Sequence, residues 1–135
     1  VLDLIMQLVH EDQMALLLIS HDLGLVRERT QHIMVMYGGR VVEQATRTDL
    51  FAQTAHPYTR GLMAARLHAG LTRGTRLATI AGQVPALHQL PDGCGFAGRC
   101  PLTQPDCATQ APAEQHLNPP GQALHLVRCP HWRLA

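Results

Sequence analysis

All four cysteines of this 135-residue chain (Cys94, Cys100, Cys107 and Cys129) fall in its last third, and eight of its nine prolines lie from Pro85 onward. A segment built this way reads as short turns, loops and short elements, because proline removes a backbone donor and fixes φ. Small, loop-rich segments with little apolar core need a staple, from thiol chemistry or a metal. The rest of the chain is different: aliphatic, periodic and free of cysteine. Hydrophobic residues make up 46% and charged residues 16%, which excludes wholesale disorder. A net charge of +1 excludes a polybasic arm and gives no electrostatic case for nucleic acid. No apolar run reaches the ~18 residues of a membrane helix. The chain opens on Val1-Leu2-Asp3-Leu4-Ile5 without an initiator Met, and reads as a piece of something longer.

Hydropathy patterning predicts the elements. Residues 1–13 carry a broad helical stripe (Val1, Leu4, Ile5, Leu8, widened by Leu2, Met6 and Val9), a breadth that predicts burial on more than one side. Ala15-Leu16-Leu17-Leu18-Ile19 is an unbroken apolar run, as expected of a strand covered on both faces of a parallel sheet. Ser20-His21-Asp22 ends it, with Asp22 placed to cap a helix over residues 23–29. Ile33-Met34-Val35-Met36-Tyr37, Gly38-Gly39 and Arg40-Val41-Val42-Glu43 predict a hairpin. Thr46 and Asp49 have capping-box spacing ahead of Leu50-Phe51, and Pro57 suits a first helical turn with Tyr58, Leu62 and Met63 on one face. Tyr58 is expected to pack inward. Beyond about Arg76, loops and short elements are expected.

Two constellations carry chemistry. His21 stands at the carboxyl end of the expected strand, where open α/β sheets place ligands; its imidazole can donate to a phosphate oxygen or an attacking water, or simply cap the next helix. The cysteines have the spacing C-x5-C-x6-C-x21-C, with prolines following Cys100 and Cys129. Four thiolates suit an iron–sulfur cluster or tetrahedral zinc, although zinc ribbons prefer tighter C-x2–4-C pairs. Disulfides are a third reading, suited to secreted proteins. The nine histidines are scattered and expected mostly at the surface, with His131 the one substitute ligand near Cys129.

Leu17-Leu18-Ile19-Ser20-His21-Asp22-Leu23-Gly24, followed by Val35-Met36-Tyr37-Gly38-Gly39-Arg40-Val41-Val42-Glu43, resembles the end of an ABC-transporter ATPase domain. Asp49-Leu50-Phe51, His56-Pro57-Tyr58-Thr59-Arg60-Gly61-Leu62, Ile80-Ala81-Gly82-Gln83-Val84-Pro85 and Gly93-Cys94-Gly95-Phe96-Ala97-Gly98-Arg99-Cys100-Pro101 resemble the ATP-binding subunits of oligopeptide and dipeptide importers. The resemblance implies an α/β fold: the C-terminal portion of a P-loop ABC ATPase domain over residues 1–52, then a loop-rich extension with a four-Cys site over 53–135. It implies that His21 is the switch histidine facing the γ-phosphate, and that Cys94, Cys100, Cys107 and Cys129 hold a four-iron, four-sulfur cluster. ATP and Mg²⁺ would serve the full-length protein. The implied partners are a second ATP-binding subunit, identical or paralogous, and transmembrane permeases, at the cytoplasmic face of the cell membrane. The implied cargo is peptide, or nickel.

The chain departs from that family where phosphates are held. No G-x-x-x-x-G-K-[ST] loop occurs, nor the signature motif or the strand-end Asp-Glu pair, so these residues alone are not expected to hydrolyse ATP. Gln31-His32 replaces an acidic-basic pair and Ala45-Thr46 replaces Gly-Pro. A stand-alone metal-binding or interaction module, and an inactive split-gene fragment, are the competing expectations.

Overall fold

A computed structural model describes residues 1–65 and 78–134. The expected start of the loop-rich stretch, near Arg76, lies outside them. The chain divides into two compact units, Val1–Gln31 and His32–Ala135.

The first unit holds helix α1 (Leu2–Glu11) and helix α2 (Leu23–Arg29). Asp22 caps α2 as its sequence predicts: Oδ1 accepts from Gly24 N at 2.8 Å and Leu25 N at 3.2 Å. Two expectations fail here. No residue of α1 is buried, so the broad stripe is not covered on two sides. The Ala15–Ile19 run forms no strand, and Leu17 and Ile19 are 78% and 89% exposed. An interior parallel strand is made by neighbours that take its backbone donors and acceptors and cover both its faces. No strand among the described residues pairs with this run.

The second unit is organised by one antiparallel sheet of four strands: β1 (His32–Tyr37), β2 (Arg40–Thr46), β3 (Gln115–His116) and β4 (His125–Val127). Their order is β1-β2-β4-β3. Mixed helix with antiparallel sheet is therefore the architecture, and no parallel pair occurs among the described residues. Gly38 and Gly39 both have positive φ (55° and 78°), the requirement of a two-residue hairpin turn. A side chain at Gly38 would also strike Leu90. Strand β1 alternates cleanly, with Ile33, Val35 and Tyr37 inward and His32, Met34 and Met36 outward.

Helix α3 (Arg47–Ala52) starts where Thr46 Oγ1 accepts from Asp49 N at 3.1 Å. Helix α4 (Pro57–Ala64) has proline in its first turn and His56 as N-cap. The few aromatic residues are concentrated rather than spread. Tyr58 packs edge-on against Tyr37 at 4.8 Å, and both meet Phe96 at 5.2–5.3 Å. Tyr58 thus points inward, as expected. This trio ties β1 and α4 to the cysteine-bearing loops, and it compensates for the small aliphatic content of those loops.

Candidate functional site

The site grows from two short loops that zip together. Gly93 N donates to Ala108 O at 3.1 Å and Cys94 N donates to Cys107 O at 2.7 Å, setting Cys94 beside Cys107. Gly93 is required there: a Cβ would lie within 3.0 Å of Cys107 O, Ala108 C and Thr109 N, all backbone atoms that cannot swing away. From Cys94 the chain enters a 3-10 turn over Ala97–Arg99 that delivers Cys100. A second 3-10 turn, Pro105–Ala108, carries Cys107. Cys129 follows β4 and is buried beside Val127 and Ala55. Arg99 holds the preceding segment in place, donating to the carbonyls of Ile80, Ala81 and Gly82 and to Tyr37 OH.

All four predicted cysteines line one cavity of about 250 Å³, with His56, Asp106 and His131 also in its wall. All four are free thiols, so the disulfide reading is not realised. Their charges act on one another. Burial pushes Cys129 up to about 11, the His131 N–H opposes this, and the charges of Cys94, Cys100 and Cys107 raise it further. Burial likewise raises Cys94 and Cys100, and Cys107 adds to both. Each sulfur nevertheless has a backbone donor. The N–H groups of Phe96 and Ala97 act on Cys94, Leu102 on Cys100 and His131 on Cys129, while Gln104 N lies 3.5 Å from Cys107 Sγ.

Three thiols raised first by burial and further by neighbouring cysteines, with an N–H offered to each of the four sulfurs, form a donor set that a bound cation would relieve. The residues present therefore fit a thiolate-bound metal group. Beside it, His131 Nε2 lies 3.1 Å from both carboxylate oxygens of Asp106. That hydrogen bond holds the Asp106 carboxyl below its usual range. Ligand atoms of Asp106, Cys107 and His131 lie within 4.8 Å of one another.

His21, the other predicted site residue, is exposed on the turn ahead of α2 rather than at the end of a buried strand. The phosphate-cradling residues that would accompany it are not in this sequence, so the nucleotide site is not assembled by these residues.

A buried polar knot escaped the sequence reading. Glu43, on β2, is 1% exposed, and its carboxylate accepts from Ala55 N (2.8 Å), His56 N (2.9 Å) and His125 Nε2 (3.0 Å). His56 and His125 are 0% and 1% exposed, against the expectation that histidines sit at the surface. His56 caps α4 by accepting from Tyr58 N at 3.1 Å through Nδ1. Burial lowers its pKa to about 4, with Glu43 pulling the other way. The only available signal was the position of His56 just before Pro57, an N-cap site in front of a first-turn proline.

Comparison with known proteins matches residues 42–107 to the oligopeptide/dipeptide transporter C-terminal region. The chain is 42% identical over 133 residues to a probable peptide ABC transporter ATP-binding protein of Sinorhizobium fredii, covering 98% of this chain and 38% of that protein. It is 43% identical over 115 residues to an oligopeptide transport ATP-binding protein of Bacillus subtilis, covering 84% of this chain and 34% of the relative. A putative peptide import ATP-binding protein of Brucella ovis is 38% identical over 138 residues, covering 98% and 40%. The chain spans about two fifths of the length of these relatives or less.

Proposed function

We propose, on the premise that this chain belongs to the oligopeptide/dipeptide ABC transporter ATP-binding family through its C-terminal region, that it forms the C-terminal part of the ATP-binding subunit of a peptide importer. The likeness over nearly the whole chain carries this reading. Residues 1–52 would close the ATPase domain and 53–135 would form the importer extension. In the full-length protein His21 would give one polar contact to the γ-phosphate of ATP, while residues outside this chain hold the phosphates and Mg²⁺. A second ATP-binding subunit and transmembrane permeases would be its partners, at the cytoplasmic face of the membrane. No helix among the described residues is long and apolar enough to cross a membrane, which suits a peripheral subunit. Peptide, or nickel, would be the cargo. Replacing His21 by Ala in the full-length protein should nearly abolish ATP-driven uptake; uptake at the wild-type rate would sink the assigned role.

Within the extension, Cys94, Cys100, Cys107 and Cys129 would hold a four-iron, four-sulfur cluster. Their shared cavity and their backbone N–H donors support this. Bound there, the cluster would cross-link the loops and offer a one-electron centre. The residues themselves position four sulfurs, exclude bulk water with Phe96 and Ala97, and supply the hydrogen bonds. The Asp106–Cys107–His131 group favours a second reading, zinc, because it offers the mixed N, O and S donors that zinc accepts. Iron, acid-labile sulfide and zinc measured on anaerobically purified protein decide between them. Iron and sulfide near four per chain, lost on Cys100→Ser, support the cluster; zinc without sulfide replaces it.

A further inference from the structure

His56 has one ring nitrogen engaged and one left over. Nδ1 accepts the Tyr58 N–H, so the neutral ring carries its proton on Nε2. That Nε2 is buried and finds no hydrogen-bond partner among the described residues. A buried donor without an acceptor costs about 1–3 kcal/mol, so such a group in a native protein calls for an explanation. The ring is fixed on three sides. Its backbone N–H is bound to Glu43, its Nδ1 caps α4, and its ring centroid lies 6.0 Å from that of Phe96 in a tilted arrangement. His56 also stands in the wall of the cavity lined by all four cysteines. A donor-only nitrogen there is matched to an acceptor within the cavity rather than to a cation.

We propose that His56 Nε2–H donates a hydrogen bond to a sulfur of the group held by Cys94, Cys100, Cys107 and Cys129, making His56 a positioning residue that tunes that centre. This rests on the cluster reading above. A donor to a cluster sulfur stabilises the more negative, reduced state and raises the reduction potential. The His-Pro-Tyr sequence would then serve two ends at once: one ring nitrogen starts the helix, the other reaches the sulfur site.

His56→Asn is the discriminating variant, because its short amide still accepts from Tyr58 N–H and preserves the cap, yet does not extend to the cavity. Both proteins are purified anaerobically, analysed for iron and sulfide, and titrated by spectroelectrochemistry. The expected result is wild-type iron and sulfide with a tenfold shift in the reduced-to-oxidised ratio toward oxidised, about 59 mV lower for a one-electron couple. In reduced wild type labelled with ¹⁵N-histidine, pulsed EPR should show a histidine nitrogen with an exchangeable proton, and H56N should lose it. Should H56N load poorly, His56→Ser keeps a capping oxygen and serves in its place. A loaded variant with unchanged potential, or a wild-type spectrum without the histidine coupling, overturns this inference alone. Wild-type protein without iron and sulfide overturns the cluster reading and this inference together.

Discussion

Glu43 and His125, 82 residues apart in sequence, meet at 3.0 Å with both side chains wholly shielded from solvent. Around them the same carboxylate receives the backbone of Ala55 and His56, so one residue of β2 fixes both β4 and the entry to α4. Buried polar groups are tolerated when their partners are complete and become costly when one is removed.

Truncating Glu43 to Ala should therefore destabilise the second unit by about 3–5 kcal/mol, since three donors lose their acceptor inside the protein. Urea denaturation of wild type and E43A tests this. A loss below about 1 kcal/mol would mean that water replaces the carboxylate without penalty.

His56 makes stability depend on pH. Its folded-state value of about 4 lies below the ordinary histidine value of 6.5, so the unfolded chain takes up the proton first. Stability is whole above pH 6.5 and falls as pH drops from 6.5 toward 4, by at most about 1.4 kcal/mol per pH unit. Stability compared at pH 7 and pH 4.5 should show this decline in wild type and a shallower one in H56N.

Gly93→Ala should damage the cysteine site without touching a cysteine. The added methyl group meets backbone rather than a flexible side chain, and the pairing of Gly93 with Ala108 and of Cys94 with Cys107 must open. Overpacking of this kind costs about 1–3 kcal/mol. Metal content per chain should fall with it, while Gly98→Ala, where a Cβ meets nothing within 4 Å, should retain metal.

Metal uptake should release protons. Cys129 rests at about 11 and Cys94 and Cys100 are raised as well, so at pH 7 the empty site holds thiols that must deprotonate on binding. Zinc affinity measured against a competing chelator should rise steadily between pH 6 and 8. An affinity independent of pH would mean that the sulfurs are not the ligands.

Local signals in the sequence carried well into the structure. Asp22 and Thr46 each announce a helix through an oxygen that takes donors two or three residues on, and Gly38-Gly39 supplies the positive-φ backbone that closes this hairpin. The cysteines were legible as a set because their residue type and crowding limit what they do. What joins distant residues was not legible. Residues 15–19 have the composition of an interior strand, but composition does not provide the neighbours that make one. Nothing next to Glu43 in the sequence marks it as interior; the return of His125 and the turn at Ala55 supply the partners that hold it inside. Gly93 likewise carries no mark of the backbone it must admit.

The sheet order β1-β2-β4-β3 places a late strand at the centre of an early hairpin's free edge. A nascent chain emerging from the ribosome can close the β1–β2 turn at once, since its contacts are local, but β2 then waits with an open hydrogen-bonding edge and an unsatisfied Glu43. Cys94, Cys100 and Cys107 emerge before His125–Val127 seals that edge, and Cys129 emerges just after it. Synthesis itself thus imposes an order: the hairpin first, three thiols next, then the sheet, and the fourth thiol last. A chaperone or a metal donor acting during translation would meet an interval in which the cysteine loops are present and their last ligand is not.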